Sequence, residues 1–315
     1  MNTKGFALTA LLVLALLLSG CGQRPPEGLI KENPDSGLII DAIPQAGSAR
    51  QATDTLYFGY GDTGLLRQES RQITLLPNET REKALVRALL EGSRDAGSRP
   101  LFPEKTEVLS TQAQDGVIYI TFNEALYDRY ADEDSLREDS AARRQLAMDA
   151  LTATLTESGE YRSVQVLVRA EENVGRSMRL TTRFFWQENE AAVPPLTRQS
   201  GRLPTPSAYA GALLSAWQNR DPEELAHFIS AREGQMPGAL SDDLAAGPAL
   251  LSFAVYDGTV SPDGGSAVVC ADLALRDADG AETVIDACPL RLVSEGGAWK
   301  ILRSQLMDIM GESNE

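Results

Sequence analysis

Period-two and period-3.6 patterns of apolar residues alternate along this chain. From Thr55, Leu56-Tyr57-Phe58-Gly59-Tyr60 and Arg71-Gln72-Ile73-Thr74-Leu75 predict strands. Pro77-Asn78-Glu79 predicts a helix start with Asn78 as N-cap; Leu85, Val86, Leu89 and Leu90 then fall at helical spacing and Gly92 stops the run. Thr106–Ser110, a turn at Asp115-Gly116 and Val117–Phe122 predict a hairpin. A second helix is expected over about 141–158, burying Leu146, Ala150, Leu151 and Leu155 and ending at Gly159. Ser163–Arg169 and Met178–Phe185 close the first half as strands, which makes it an α+β layer of sheet against two helices.

Pro194-Pro195 and Pro204-Thr205-Pro206 interrupt the pattern and predict a linker over 191–205. Beyond it, Thr205 and Pro206 open a helix holding Leu213, Leu214 and Trp217. Asp221-Pro222-Glu223-Glu224 opens another, with Asp221 as N-cap and Glu224 reaching back as in a capping box. The chain then turns to β at Leu250–Tyr256, Ala267–Arg276, Glu282–Val293 and Trp299–Arg303. Helices followed by an antiparallel meander imply a second α+β domain over 206–310, a curved sheet wrapped around helices.

The first twenty residues differ from both halves. Lys4 supplies a basic start, Phe6–Leu18 is almost unbroken apolar sequence, and Leu18-Ser19-Gly20-Cys21 follows. So short an apolar run, ending on small residues, is a signal peptide rather than a spanning helix. The ending resembles the lipobox of bacterial lipoproteins, which implies cleavage before Cys21 and a lipid thioether on its sulfur; the alternative is an ordinary signal peptide with a chance cysteine. Two or three acyl chains anchor stably where one does not. Residues 21–54 read as the lipidated cysteine and a flexible tether, spanning roughly 30 Å on average and about 100 Å when stretched.

Composition narrows the partners. The chain of 315 residues is 43% hydrophobic with a formal net charge of −16, enough for two packed domains. So acidic a body excludes nucleic acid, whose phosphates need clustered Lys and Arg, and it is repelled by anionic headgroups. Membrane attachment is therefore expected through the lipid on Cys21 alone. Of the other two cysteines, a three-residue loop Ala278-Asp279-Gly280 pairing Asp277 with Ala281 would set Cys270 opposite Cys288. Facing cysteines in an oxidising compartment predict a disulfide; two buried thiols are the alternative.

Candidate chemistry is sparse. His227 is the only histidine, so a multi-histidine metal site is impossible, and any Ser-His-Asp or Cys-His arrangement must use it. Within Leu225-Ala226-His227-Phe228-Ile229 it reads as a packing residue, with a base facing a pocket as the alternative. Asp128, Asp132, Glu133, Asp134, Glu138 and Asp139 lack the ordered positions of a calcium loop and read as a solvated loop. Tyr57, Phe58 and Tyr60 could form a peptide or glycan platform, but core is the default for Phe58, as for Trp217. No cofactor or metal site is expected.

Residues from about Thr55 to Phe185 resemble the GerMN domain, named for a sporulation and spore-germination protein. The resemblance is carried by Leu56-Tyr57-Phe58, Leu89-Leu90-Glu91-Gly92, Leu101-Phe102-Pro103, Val108-Leu109-Ser110, Asp115 to Asn123, Leu151 to Thr156 and Val164 to Val168. Gly92-Ser93 stands where the family often has Gly-Pro, and Arg169-Ala170-Glu171-Glu172 where it often has an acidic-Gly turn. The resemblance implies a domain over 55–190 found in lipoproteins of Gram-positive bacteria, similar to ring-building motifs of envelope assemblies, with no agreed catalytic residues. The second half resembles an NTF2-like cone through Asn219-Arg220-Asp221-Pro222, Tyr256-Asp257-Gly258 and Gly296 to Ile301.

These readings lead to an extracytoplasmic, lipid-anchored, non-enzymatic protein making envelope protein contacts in assembly or signalling, with sporulation or germination as the implied process. Two other classes stay open: a ligand-binding lipoprotein using an NTF2-like pocket, and a small hydrolase or isomerase using His227.

Overall fold

A long hairpin opens the fold. The computed structural model describes residues 49–95, 98–132, 137–169, 176–233 and 239–311. The expected signal peptide, Cys21 and the expected tether as far as Ser48 lie outside these residues. Strand β1 (Arg50–Tyr60) pairs antiparallel with β2 (Leu65–Leu75), from Arg50 opposite Leu75 to Tyr60 opposite Leu65. Among the described residues, regular structure begins at Arg50, five residues before the expected Thr55. Leu56 to Tyr60 are buried without a break, because the hairpin is covered on both faces and alternation no longer separates inside from outside.

Helix α1 (Arg81–Leu90) starts two residues later than expected. Thr80 is its N-cap, its hydroxyl accepting from Lys83 N at 3.2 Å. Asn78 instead sits at φ 63, inside a turn closed by Glu79 N to Leu76 O at 3.1 Å. Asparagine is the residue type, after glycine, that tolerates this left-handed region, so its two favoured roles were confused. The opposite end of α1 is capped from β2: the buried Arg71 donates to the carbonyls of Ala88 (3.1 Å) and Gly92 (3.0 Å). A cation there meets the negative end of the helix dipole. Glu69 accepts from Arg71 and Ser93; burial pushes its carboxyl up, but these donors outweigh it and hold it low.

β3 (Val108–Gln114) and β4 (Val117–Asn123) form the expected hairpin, with Asp115 and Gly116 both at positive φ, as a type I′ turn requires. Helix α2 (Arg137–Thr156) then crosses to β5 (Ser163–Arg169), which lies parallel to β4. The sheet order is β3-β4-β5-β6, with β6 only Met178–Arg179 and β7 (Leu196–Thr197) also on β5. The strand expected to run to Phe185 breaks into a 3-10 turn over Thr182–Phe185, which turns Phe184 fully into the core. The segment expected as a linker is laid along the sheet instead: Val193 N bonds Leu180 O at 2.7 Å and Leu196 pairs with Val164.

Helix α3 (Pro206–Gln218) has Thr205 as N-cap, as expected, and α4 (Pro222–His227) has Asp221. Asp221 Oδ1 accepts from the amides of Glu223 and Glu224, but Asp221 N bonds Ala216 O at 2.9 Å, which leaves Glu224 nothing to cap. After α5 (Ala239–Ala246) comes the meander: β8 (Ala249–Val255), β9 (Thr259–Val260), β10 (Ser266–Arg276), β11 (Glu282–Glu295) and β12 (Ala298–Ile301). Its order is β12-β11-β10-β8, with β9 on β10. The last strand ends at Ile301, and α6 (Arg303–Gly311) follows, burying Leu306, Ile309 and Met310. The whole is α+β, with helices before an antiparallel meander in the second half.

Two hydrophobic clusters follow the two halves, yet the hairpin belongs to both. Leu56, Tyr57, Phe58, Leu66 and Ile73 pack in the first, while Tyr60 and Leu65 pack with Tyr209, Phe228 and Trp299 in the second. Hydrogen bonds lock the same join. Tyr209 Oη donates to Leu66 O (2.9 Å), Gln68 N to Gly297 O (3.2 Å), Trp299 Nε1 to Pro204 O (2.9 Å), and the Tyr60 hydroxyl to His227 O. The residues from Gln45 onward accordingly form one compact unit.

Candidate functional site

His227 closes α4, and its imidazole lies edge-on to the Tyr60 ring, 5.9 Å between centroids, directly over Gly61. It packs on the tip of the β1–β2 hairpin, at the join of the halves, as a packing residue would. Tyr57, Phe58 and Tyr60 are all buried and offer no platform. The Tyr57 hydroxyl donates to Glu157 (2.7 Å) and accepts from Arg198 (3.0 Å); burial, then the Glu157 bond, push it up to about 12.

The cysteine pairing is corrected by one residue. The loop forms as expected, with Asp277 N to Ala281 O at 3.0 Å and Gly280 at φ 85. A bulge then intervenes: Ala287 takes φ 50 and its amide bonds Asp272 Oδ1 at 2.8 Å. The register slips, so Cys270 faces Pro289 and Cys288 faces Ala271. A one-residue slip reverses side-chain direction, which turns Cys288 into the core and Cys270 toward the outer face. Both are present as thiols, not as a disulfide.

The concave chemistry lies in the first half, in two adjoining cavities of about 510 Å³ and about 320 Å³. Arg99, Leu101 and Arg143 line both. The larger has a floor of Phe58, Leu89, Leu101 and Phe102; the smaller runs along Gly59, Gly61 and Asp62 of the hairpin toward Arg202. Thus two segments that carry the family resemblance, Leu89-Leu90-Glu91-Gly92 and Leu101-Phe102, form a wall of the larger cavity.

Arg143 of α2 is the fixed element. Its guanidinium stacks 3.8 Å from the centre of the Tyr130 ring, with Nε donating to Pro100 O (2.6 Å) and Nη1 to Asp132 Oδ1 (2.7 Å). Arg143 holds the Asp132 carboxyl below its ordinary range. Asp132 therefore serves arginines, not calcium; Glu133 and Asp134 of the same acidic stretch lie outside the described residues. Among the described residues no His, Cys, Asp or Glu cluster is arranged for a metal ion. The adjacent Arg143-Arg144, ahead of the apolar run Leu146 to Met148, is the sequence signal for this wall. Arg99 sits in a loop and Arg202 in a 3-10 turn over Ser200–Arg202, and neither is marked by any periodicity.

Beneath Arg202, the buried Asp149 accepts from Gln145 (3.1 Å) with Arg202 Nε 3.8 Å away, and burial raises its carboxyl above the ordinary range. A raised acid is penalised in the fold once the unfolded chain ionises, so that penalty sets in as pH rises above the unfolded value. Asp149→Asn is expected to stabilise the protein at pH 7, with the gain vanishing below about pH 4. Urea midpoints of both proteins across that range check this.

The fold and cleft so far define an α+β protein whose first half is a hairpin, a sheet and two helices. Residues 55–173 match the family model described as Germane: Sporulation and spore germination. Over those residues, less than half of its length, the chain is similar to that family. It is similar to the first GerMN domain of the sporulation protein GerM from Bacillus subtilis, 18% identical, with a TM-score of 0.32 over 47% of this chain and 98% of that one. The tandem GerMN domains of the same protein are 14% identical, with a TM-score of 0.33 over 84% of this chain and 66% of theirs. RPA3114, a SEC-C motif containing protein from Rhodopseudomonas palustris, is 14% identical, with a TM-score of 0.28 over 33% and 79%. No curated protein matches the chain.

Proposed function

We propose that this chain is an extracytoplasmic lipoprotein, held at a membrane by lipid on Cys21, that acts without catalysis as an interaction or assembly component of the envelope in sporulation or germination. The process is supported by the Germane match over residues 55–173. The carrying observation is the hairpin shared by both cores, which makes the two halves one body. A linked pair of independent modules would search separately; a fused body holds its contact surfaces in fixed relation.

The second half is read as NTF2-like from its helices and meander. Its interior is filled by Tyr209, Trp217 and Phe228, each no more than 1% exposed, which favours the interaction reading over a ligand pocket there. The packed position of His227 favours it over hydrolase or isomerase chemistry.

Cell fractionation tests the anchor. Wild-type protein is expected with membranes and Cys21→Ala in the soluble fraction; a Cys21→Ala variant that still sediments with membranes overturns lipid as the attachment. Crosslinking the full chain in cells tests the rest. An envelope protein recovered in stoichiometric amount is expected, and only monomeric chain contradicts the proposal.

A further inference from the structure

The two cavities share Arg99, Leu101 and Arg143 as lining residues. Arg99 reaches across their boundary, donating Nη1 to Asp62 Oδ1 (3.0 Å) and Nη2 to Asp132 Oδ2 (3.4 Å). All three are solvent-facing: the side chains are 49% exposed for Arg99, 79% for Asp62 and 48% for Asp132. Ion pairs this open contribute little and exchange readily with competing charges. Arg143 contrasts with this, being only 11% exposed and pinned by a carbonyl, a carboxylate and a ring. Arg202, 45% exposed, donates to Gly64 O at 2.6 Å and stands 3.8 Å from Asp149.

The charges around the opening do not balance. Asp62 and Asp139 line the smaller cavity, and Glu91, Glu104 and Asp132 the larger, against Arg99, Arg143 and Arg202. Five lining carboxylates against Arg143 and Arg202 leave the rim negative when Arg99 moves away, above the apolar floor of Phe58, Leu89, Leu101 and Phe102, with Asp132 still bonded to Arg143 and Glu91 paired with Arg87.

We propose that this cleft is a docking groove for a basic, apolar-flanked peptide segment of a protein partner, and that Arg99 is an intramolecular occupant which the partner displaces. The incoming guanidinium or ammonium takes the place between Asp62 and Asp132. In an extended segment, residue i+2 points the same way roughly 7 Å further along, and an apolar side chain there suits the apolar floor of the larger cavity. The chain's own arginine shows what the carboxylate pair accepts, and the net charge of −16 favours approach of a basic segment. This names the partner's chemistry within the interaction role proposed above and rests on that role.

Calorimetric titration of the full chain with acetyl-Gly-Arg-Ser-Leu-Gly-amide tests it, with the citrulline and glutamate analogues as controls. If Arg99 holds the site nine-tenths of the time, Arg99→Ala binds the arginine peptide about tenfold more tightly than wild type. Adding Asp62→Asn, on an exposed turn where folding is not at stake, removes that gain. The citrulline peptide binds neither protein measurably. Equal affinity of wild type and Arg99→Ala, or of the arginine and citrulline peptides, overturns the proposal, as does preference for the glutamate analogue. Failure here with a partner still recovered by crosslinking in cells refutes the groove alone; failure of both refutes the interaction role.

Discussion

Gly297→Ala is expected to lower stability by about 3–5 kcal/mol, the sum of left-handed strain and overlap with a neighbouring backbone. Gly297 lies at φ 79 in the turn joining β11 to β12, and its carbonyl accepts from Gln68 N of β2 at 3.2 Å. A Cβ there would coincide with the Gln68 carbonyl oxygen. That neighbour is strand backbone and cannot rotate aside, so the turn must withdraw from the hairpin. Gly296 provides the control within the same turn. It lies at φ 59 with nothing near its missing Cβ, so Gly296→Ala bears only the conformational term, about 1–2 kcal/mol. Urea unfolding of the two variants separates contact from conformation, since both change one glycine to alanine. Equal losses would mean that the turn does not dock on β2.

Arg144→Met is expected to cost about 3 kcal/mol, because it strands buried carbonyls without filling their bonds. Arg144 is 2% exposed, and its guanidinium donates to Phe184 O (3.0 Å), Tyr127 O (3.3 Å) and Asp128 O (2.8 Å). The rings of Phe184 and Trp186 lie against it, 5.0 Å and 4.8 Å from its central carbon. These carbonyls come from the 3-10 turn at Phe184 and the loop after β4, segments that no ladder pairs. One guanidinium thus replaces the sheet hydrogen bonds that the expected strand to Phe185 would have made. Methionine matches the volume but donates nothing, and relief from burying a charge offsets only part of the loss. Thermal or urea unfolding checks the magnitude; a change below about 0.5 kcal/mol would show that water satisfies those carbonyls.

Much of the fold could be read where local rules act alone. Ser163–Arg169, the Asp115-Gly116 turn, the Thr205 cap of α3 and the Gly280 loop all sit where their residue types place them. Misreadings arose where a distant contact outweighed the local rule. Asn78 was expected as a cap because asparagine suits both caps and left-handed turns, and Thr80, two residues on, holds the capping position. Cys270 and Cys288 were set opposite each other by counting from the turn. The count fails at Asp272, whose side chain bonds the Ala287 amide and stabilises a bulge no periodicity announces. The hairpin's shared membership was hidden for a related reason. Tyr60 and Leu65 look like ordinary strand ends, and only the packing of the second half decides which core receives them. The cleft was the least legible feature, since Asp62, Arg99 and Asp132 come from separate loops and meet only in the folded chain.

The account stands on the halves being one body through that hairpin, and calorimetry of Gln45–Glu315 tests this most directly. A single transition is expected, with calorimetric and van't Hoff enthalpies equal, and with Gly297→Ala lowering its midpoint as a whole. Two separable transitions in the wild-type protein, only one of them moved by Gly297→Ala, would contradict it.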